Sequence, residues 1–151
     1  AERFVGIKEV PGTKDNPAIL TMLNLDAQWP SHDEVPWCSA FVNYIAWLLR
    51  LPRSKSLAAR SWLNVGVPVL GPPEQPQAAF DVVILKRGGG DQPGPRTLDA
   101  PGHVGFYSKH ENTGLATDRI WLLAGNQGNA VSVASFPLLL VLGVRRLWSP
   151  R

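Results

Sequence analysis

A chain of 151 residues with 44% hydrophobic and 18% charged residues is long enough for a proper core without staples. No apolar run approaches the roughly 20 residues of a membrane span, and the run from Ser135 to Leu142 is broken by Pro137. One cysteine excludes an internal disulfide and a thiolate metal cluster, and leaves the redox compartment open. The net charge of +3 gathers in the second half, where residues 76–151 carry eight Lys/Arg against five Asp/Glu. That excess suits an anionic partner or simply solubility; with no basic run beyond Arg145-Arg146 and no reading motif, nucleic acid is not expected as a partner. The chain starts at Ala1 with no signal-peptide pattern and no initiator methionine, the expectation being a trimmed or mature fragment.

In chain order, Glu2 to Val10 has modest helical character ended by Pro11-Gly12. Asn16-Pro17 is a helix start, an N-cap followed by proline at the first helical position, with Ile19, Leu20 and Leu23 as the apolar face. Asp26 to Pro36 is a polar, proline-punctuated loop. It leads into a helix on which Phe41, Tyr44, Ile45, Leu48 and Leu49 recur at helical spacing, running to about Leu51 before Pro52. Ser56 to Val65 reads as a further helix closing at Gly66.

Prolines crowd positions 68–76, and Phe80 to Leu85 is a near-continuous apolar strand. Lys86 to Gly102 is a glycine- and proline-rich loop, a solvated connection or a lid; its triple glycine precedes no Gly-Lys-Ser/Thr and no helix, so it is not a phosphate loop. Strands are expected at His103 to Lys109, Arg119 to Ala124, Ala130 to Phe136 and Leu142 to Trp148. Helices first and an antiparallel sheet second predict one α+β domain over residues 1–151, with N-terminal helices packed on a C-terminal sheet.

Cys38 falls in the first turn of its helix, where unpaired N–H groups and the macrodipole favour a thiolate. It is either a nucleophile or a small buried apolar residue. A nucleophile needs a base, and there are three histidines. His32 lies in the polar loop. Alternation puts His103, Gly105 and Tyr107 on one strand face and Val104 and Phe106 on the other, so His103 is expected to face outward over a glycine with room for substrate. His110, at an odd offset, is expected on the opposite face, which makes the pair a poor metal site; without a histidine-glutamate helix motif, metal catalysis is not expected. Asn126, at the end of the strand through Leu122 and Ala124, is either a turn residue or the carbonyl that orients the imidazole.

The order Cys…His…Asn, the segment Trp37-Cys38-Ser39-Ala40-Phe41-Val42-Asn43, the strand Gly102-His103-Val104-Gly105-Phe106-Tyr107 and the turn Gly125-Asn126-Gln127-Gly128 resemble the CHAP group of cysteine, histidine-dependent amidohydrolases and peptidases. NlpC-type enzymes are similar at the Cys-Ser-x-Phe-Val helix start, and the segment Gly6 to Gly12 with Asn16-Pro17 resembles a compact bacterial and phage branch of the group. The resemblance implies a papain-like fold and amide-bond cleavage in bacterial peptidoglycan, without a cofactor. It implies Cys38 as nucleophile, His103 as base and Asn126 as orienting group, with Gln127 as its understudy, and a Cys38 thiolate paired to protonated His103. The chain departs from the pattern at Ala124, where relatives often carry glutamate, and at Trp37, where NlpC-type enzymes carry an aspartate that holds a free amine. Trp37, Ser39, Asp33, Glu34 and Gln127 are the expected substrate-binding residues, Asp33 or Glu34 substituting for that aspartate.

Peptidoglycan is accordingly the expected partner, with an immunity or inhibitor protein added if the chain is a secreted antibacterial effector. The expected location is secreted, periplasmic or at the cell wall, and the expected state is a monomer. The rival readings are a non-catalytic wall-binding module using Trp29, Trp37 and Trp121, an acyltransferase, and a deamidase or peptidase acting on proteins.

Overall fold

In the computed structural model, residues 1–11, 15–26, 36–71, 75–78 and 81–147 are described. Among the described residues two α-helices, α1 (Pro17–Leu23) and α2 (Cys38–Leu48), precede all the strands of a six-stranded antiparallel sheet. Its strands are β1 (Val67–Pro68), β2 (Asp81–Lys86), β3 (Gly102–His110), β4 (Arg119–Ala124), β5 (Ser132–Pro137) and β6 (Val141–Arg146), in the spatial order β1-β6-β2-β3-β4-β5. The architecture is α+β, with the strands late in the chain as expected. No helix among the described residues is long and apolar enough to cross a membrane.

The start of α1 follows from its sequence. Asn16 accepts the Ala18 N–H at 2.9 Å, and Pro17 takes the first helical position, where its missing N–H costs nothing. The stretch after Glu2 is not a helix beyond the 3-10 turn Glu2–Phe4. Instead Gly6 N–H donates to Val131 O at 2.9 Å, Val131 N–H to Ile7 O at 2.8 Å and Glu9 N–H to Asn129 O at 2.8 Å. Pairing with the chain ahead of β5 thus replaces a weak local helix, since every buried backbone donor needs a partner. Likewise the helix expected from Ser56 is only the 3-10 segment Ala59–Asn64.

Two cores lie on opposite faces of the sheet. On one, α2 packs Phe41, Val42 and Ile45 against Val82, Ile84, Val104 and Phe106, with Trp37 and Trp62 fully buried beside them. The far end of the apolar stripe of α2 is not covered, Leu48 and Leu49 being 47% and 58% exposed. On the other face Val83, Leu85, Ile120 and Leu122 form a second core with Tyr107, Phe136 and Leu140. The period of two explains the division: β2 and β3 pair Ile84 with Val104 and Leu85 with His103, so alternate residues go to opposite cores.

The short β1 was not anticipated. Pro68 can serve there because β1 is an edge strand, paired only with β6. Buried Asp81 at the start of β2 accepts Arg146 Nε at 2.8 Å and Arg146 Nη2 at 2.9 Å, a two-point pair that ties β2 to β6. Pro137 ends β5 and a 3-10 turn, Leu138–Leu140, carries the chain into β6, which stops at Arg146; Trp148 lies outside the described residues.

The segment 87–101 has no regular structure, yet it is more than a solvated connection. Arg60, fully buried, donates from Nε to Pro101 O at 2.9 Å and from Nη1 to Pro93 O, Gly94 O and Thr97 O at 2.9, 2.8 and 3.1 Å. One guanidinium therefore replaces the backbone partners that a glycine- and proline-rich loop cannot find for itself. The loop ends at Gly102, and the next residue is His103.

Candidate active site

Helix α2 begins at Cys38, and the backbone N–H groups of Val104, Ser39 and Cys38 itself bear electrostatically on its thiol. Val104 follows His103 on β3, so the tertiary fold brings the cysteine to the histidine-bearing end of that strand. Cys38 is 2% and His103 5% exposed. Among the described residues no hydrogen bond joins the two side chains. Arg87, just after β2, acts electrostatically on both.

The orienting group is Gln127. His103 Nε2 and Gln127 Oε1 lie 3.0 Å apart. The carboxamide cannot be reversed without loss, because its Nε2 donates to Ser132 O at 2.7 Å and to Leu122 O at 3.3 Å. Two carbonyls can only accept, so the oxygen is the end left for the imidazole, and His103 Nε2 must carry the proton. The lone pair is then on Nδ1, the nitrogen a general base would use.

Asn126 is not in that position. Its φ is 59°, and this left-handed turn swings the chain so that the next side chain, Gln127, points back beneath His103. Gln127 N–H closes the turn on Ala130 O at 3.0 Å, and Ser132 Oγ donates to Gln127 O at 3.2 Å. A strict alternation from Leu122 through Ala124 to Asn126 fails because the strand ends at Ala124.

His103 is not turned outward either. Its ring is 5.2 Å from that of Phe136, under the second core, and Gly105 beside it makes room for Ala124: a Cβ on Gly105 would stand 2.6 Å from the Ala124 Cβ. The strand faces of His103, Gly105, Val104 and Phe106 are otherwise as expected. His110 departs from expectation. A bulge between Tyr107 and Lys109 inserts one residue, restoring His110 to the face of Tyr107, whose Oη lies 2.8 Å from His110 Nδ1. Among the described residues no group of three or more His, Cys, Asp or Glu could hold a metal ion.

The expected substrate contacts divide three ways. Trp37 is fully buried, its Nε1 donating to Glu9 Oε1 at 2.6 Å, and Gly125 is pressed so close that a Cβ there would meet the indole at 2.5 Å. Ser39 is also fully buried, donating to Ser56 O at 2.5 Å and accepting Trp62 Nε1 at 2.9 Å. Neither has surface to offer a ligand; both brace the helix start. Asn43 completes the brace, with Nδ2 on Ser54 Oγ at 3.0 Å and Oδ1 on Lys55 N at 3.0 Å. Asp33 and Glu34, like Trp29 and His32, lie outside the described residues. Gln127 and Asn126 do line a cavity of about 510 Å³ with His103, Arg87 and Phe136; Cys38 is not part of its wall.

Burial pushes the Cys38 thiol above its ordinary 9.0, outweighing the Val104 N–H, the Arg87 charge and the other backbone donors that pull it down. Burial also holds His103 below its ordinary 6.5, against the Gln127 hydrogen bond and with Arg87. Both shifts favour neutral forms. At neutral pH Cys38 is a thiol and His103 a neutral imidazole, not the thiolate–imidazolium pair that the helix N-terminus suggests, because desolvation exceeds the pull of the helix start.

Arg87, Phe136 and Arg60 have no counterpart in the sequence reading. Only the Lys86-Arg87 pair leaves a trace, as two cations directly after a core strand. Fold and site together define an α+β protein with a buried cysteine, a histidine of assigned tautomer and a glutamine that sets it. No protein-family model, curated protein or solved structure matches the chain.

Proposed function

We propose that the protein is a cysteine hydrolase of papain-like, CHAP type that cleaves amide bonds of bacterial peptidoglycan, as an endopeptidase or amidase acting outside the cytoplasm. The observation that carries the reading is the His103–Gln127 bond, which leaves Nδ1 unprotonated on the residue next to Val104, whose N–H bears electrostatically on the Cys38 sulfur. In this mechanism His103 Nδ1 takes the Cys38 proton as the sulfur attacks the scissile carbonyl carbon. The Cys38 N–H, at the start of α2, is a donor on hand for the oxyanion. Collapse breaks the C–N bond, the imidazolium returns its proton to the leaving amine, and a thioester remains. Water, deprotonated by His103, then attacks the thioester; the acid leaves and the thiol is restored.

Purified peptidoglycan incubated with wild type, Cys38→Ala and His103→Ala tests the reading. Soluble fragment release should fall by about 10³-fold or more in each variant, with folding verified by circular dichroism. Undiminished release by either folded variant ends it. A second reading, a wall-binding module without activity, is favoured by the 2% exposure of Cys38 and its absence from the cavity wall. Sedimentation with the wall but no product from wild type selects that alternative.

A further inference from the structure

The cavity beside His103 is one-sided in charge. Lys86 and Arg87 lie in its wall and, among the described residues, no Asp or Glu does. Neither cation has a hydrogen bond or ion pair among the described residues, whereas Arg60, Arg119, Arg145 and Arg146 are all engaged. The remaining wall includes apolar Ala134, Phe136 and Leu140, next to the imidazole. Its volume of about 510 Å³ falls within the range of small-ligand sites, roughly 300–1,000 Å³.

We propose that this cavity receives a peptide segment bearing a free carboxylate, held by Arg87 and Lys86, with a small aliphatic side chain against Phe136 and Leu140. The inference rests on the hydrolase reading and names its substrate class. A guanidinium presents a planar fork that fits a carboxylate at two points, and a second cation adds charge without geometric demand. The apolar wall lowers the local dielectric, which strengthens that pairing. A carboxylate there also offsets the Arg87 charge that now bears on His103.

The test uses peptidoglycan stem peptides prepared in two forms that differ only in one free carboxylate or its carboxamide. Hydrolysis is followed as kcat/KM for wild type, Arg87→Gln, the Lys86→Gln/Arg87→Gln pair, and Arg96→Gln, which removes a charge from an exposed loop outside the cavity. Wild type should favour the carboxylate form about tenfold, the worth of one charge-assisted contact, and the double variant should bring the ratio to about twofold or less. Arg96→Gln should retain the wild-type ratio. Equal rates on both forms, or a ratio undiminished in the double variant, overturn the inference and leave the hydrolase standing. If wild type cuts neither form, the hydrolase reading falls, and calorimetric binding of the same two peptides judges the cavity. Tighter binding of the carboxylate form, lost in the double variant, then supports it; equal binding or none overturns it.

Discussion

Gln127 is the side chain on which the assignment of His103 turns. An amide with its N–H₂ end committed to Ser132 O and Leu122 O has one remaining function, to accept from Nε2. On the proposed mechanism, Gln127→Ala should therefore lower hydrolytic turnover by roughly 10–100-fold, because the ring loses both its tautomer bias and its fixed angle. Asn126→Gly is the control. It removes the neighbouring carboxamide and relieves a left-handed residue, so it should cost far less activity than Gln127→Ala and leave the melting temperature equal or higher. Equal losses in the two variants would count against Gln127. The sequence offers both residues side by side, and alternation favours Asn126. The choice between them depends on a single φ, which no periodicity carries.

At the level of elements, Arg60 holds a loop that could not hold itself. Its Nη1 and Nε reach four carbonyls between Pro93 and Pro101. A lysine in the same place offers a single nitrogen of shorter reach than Nη1, so even Arg60→Lys should release the loop. We expect a destabilisation of about 3–5 kcal/mol for Arg60→Ala, from stranded carbonyls in a buried site, and less for Arg60→Lys. Limited proteolysis is the direct measurement: cleavage within 87–101 should accelerate in both variants while the strands stay resistant. Elements with local signatures are legible in the sequence. The Asn16-Pro17 start, the stripe from Phe41 to Ile45 and the alternation of Val104 and Phe106 each state their partner face. The bulge that turns His110, the bridge that replaces the first helix and the Arg60 anchor are not, since each depends on groups distant along the chain.

For the whole molecule, the shifts of His103 and Cys38 each set a limit in pH. His103 is held below 6.5 in the fold, so the unfolded chain binds its proton first as pH falls. Stability from this site is full above 6.5 and is lost as pH drops through the window between 6.5 and the lower folded value. Cys38 is raised above 9.0, so its contribution is full below 9.0 and is lost as pH rises through the folded value. Between these limits neither group adds a slope to the melting temperature. His103→Ala should flatten the acid slope below pH 6.5, and Cys38→Ala the alkaline slope above pH 9.0, each leaving the other unchanged. An acid slope identical in wild type and His103→Ala would refute the assignment.

The seclusion of the sulfur has a consequence for the lifetime of the protein. At 2% exposure Cys38 meets peroxide slowly, and its protonated resting form reacts more slowly still. With one cysteine in the chain, a sulfenic acid formed there has no resolving thiol within the chain, so oxidative damage is rare but, without an outside reductant, permanent.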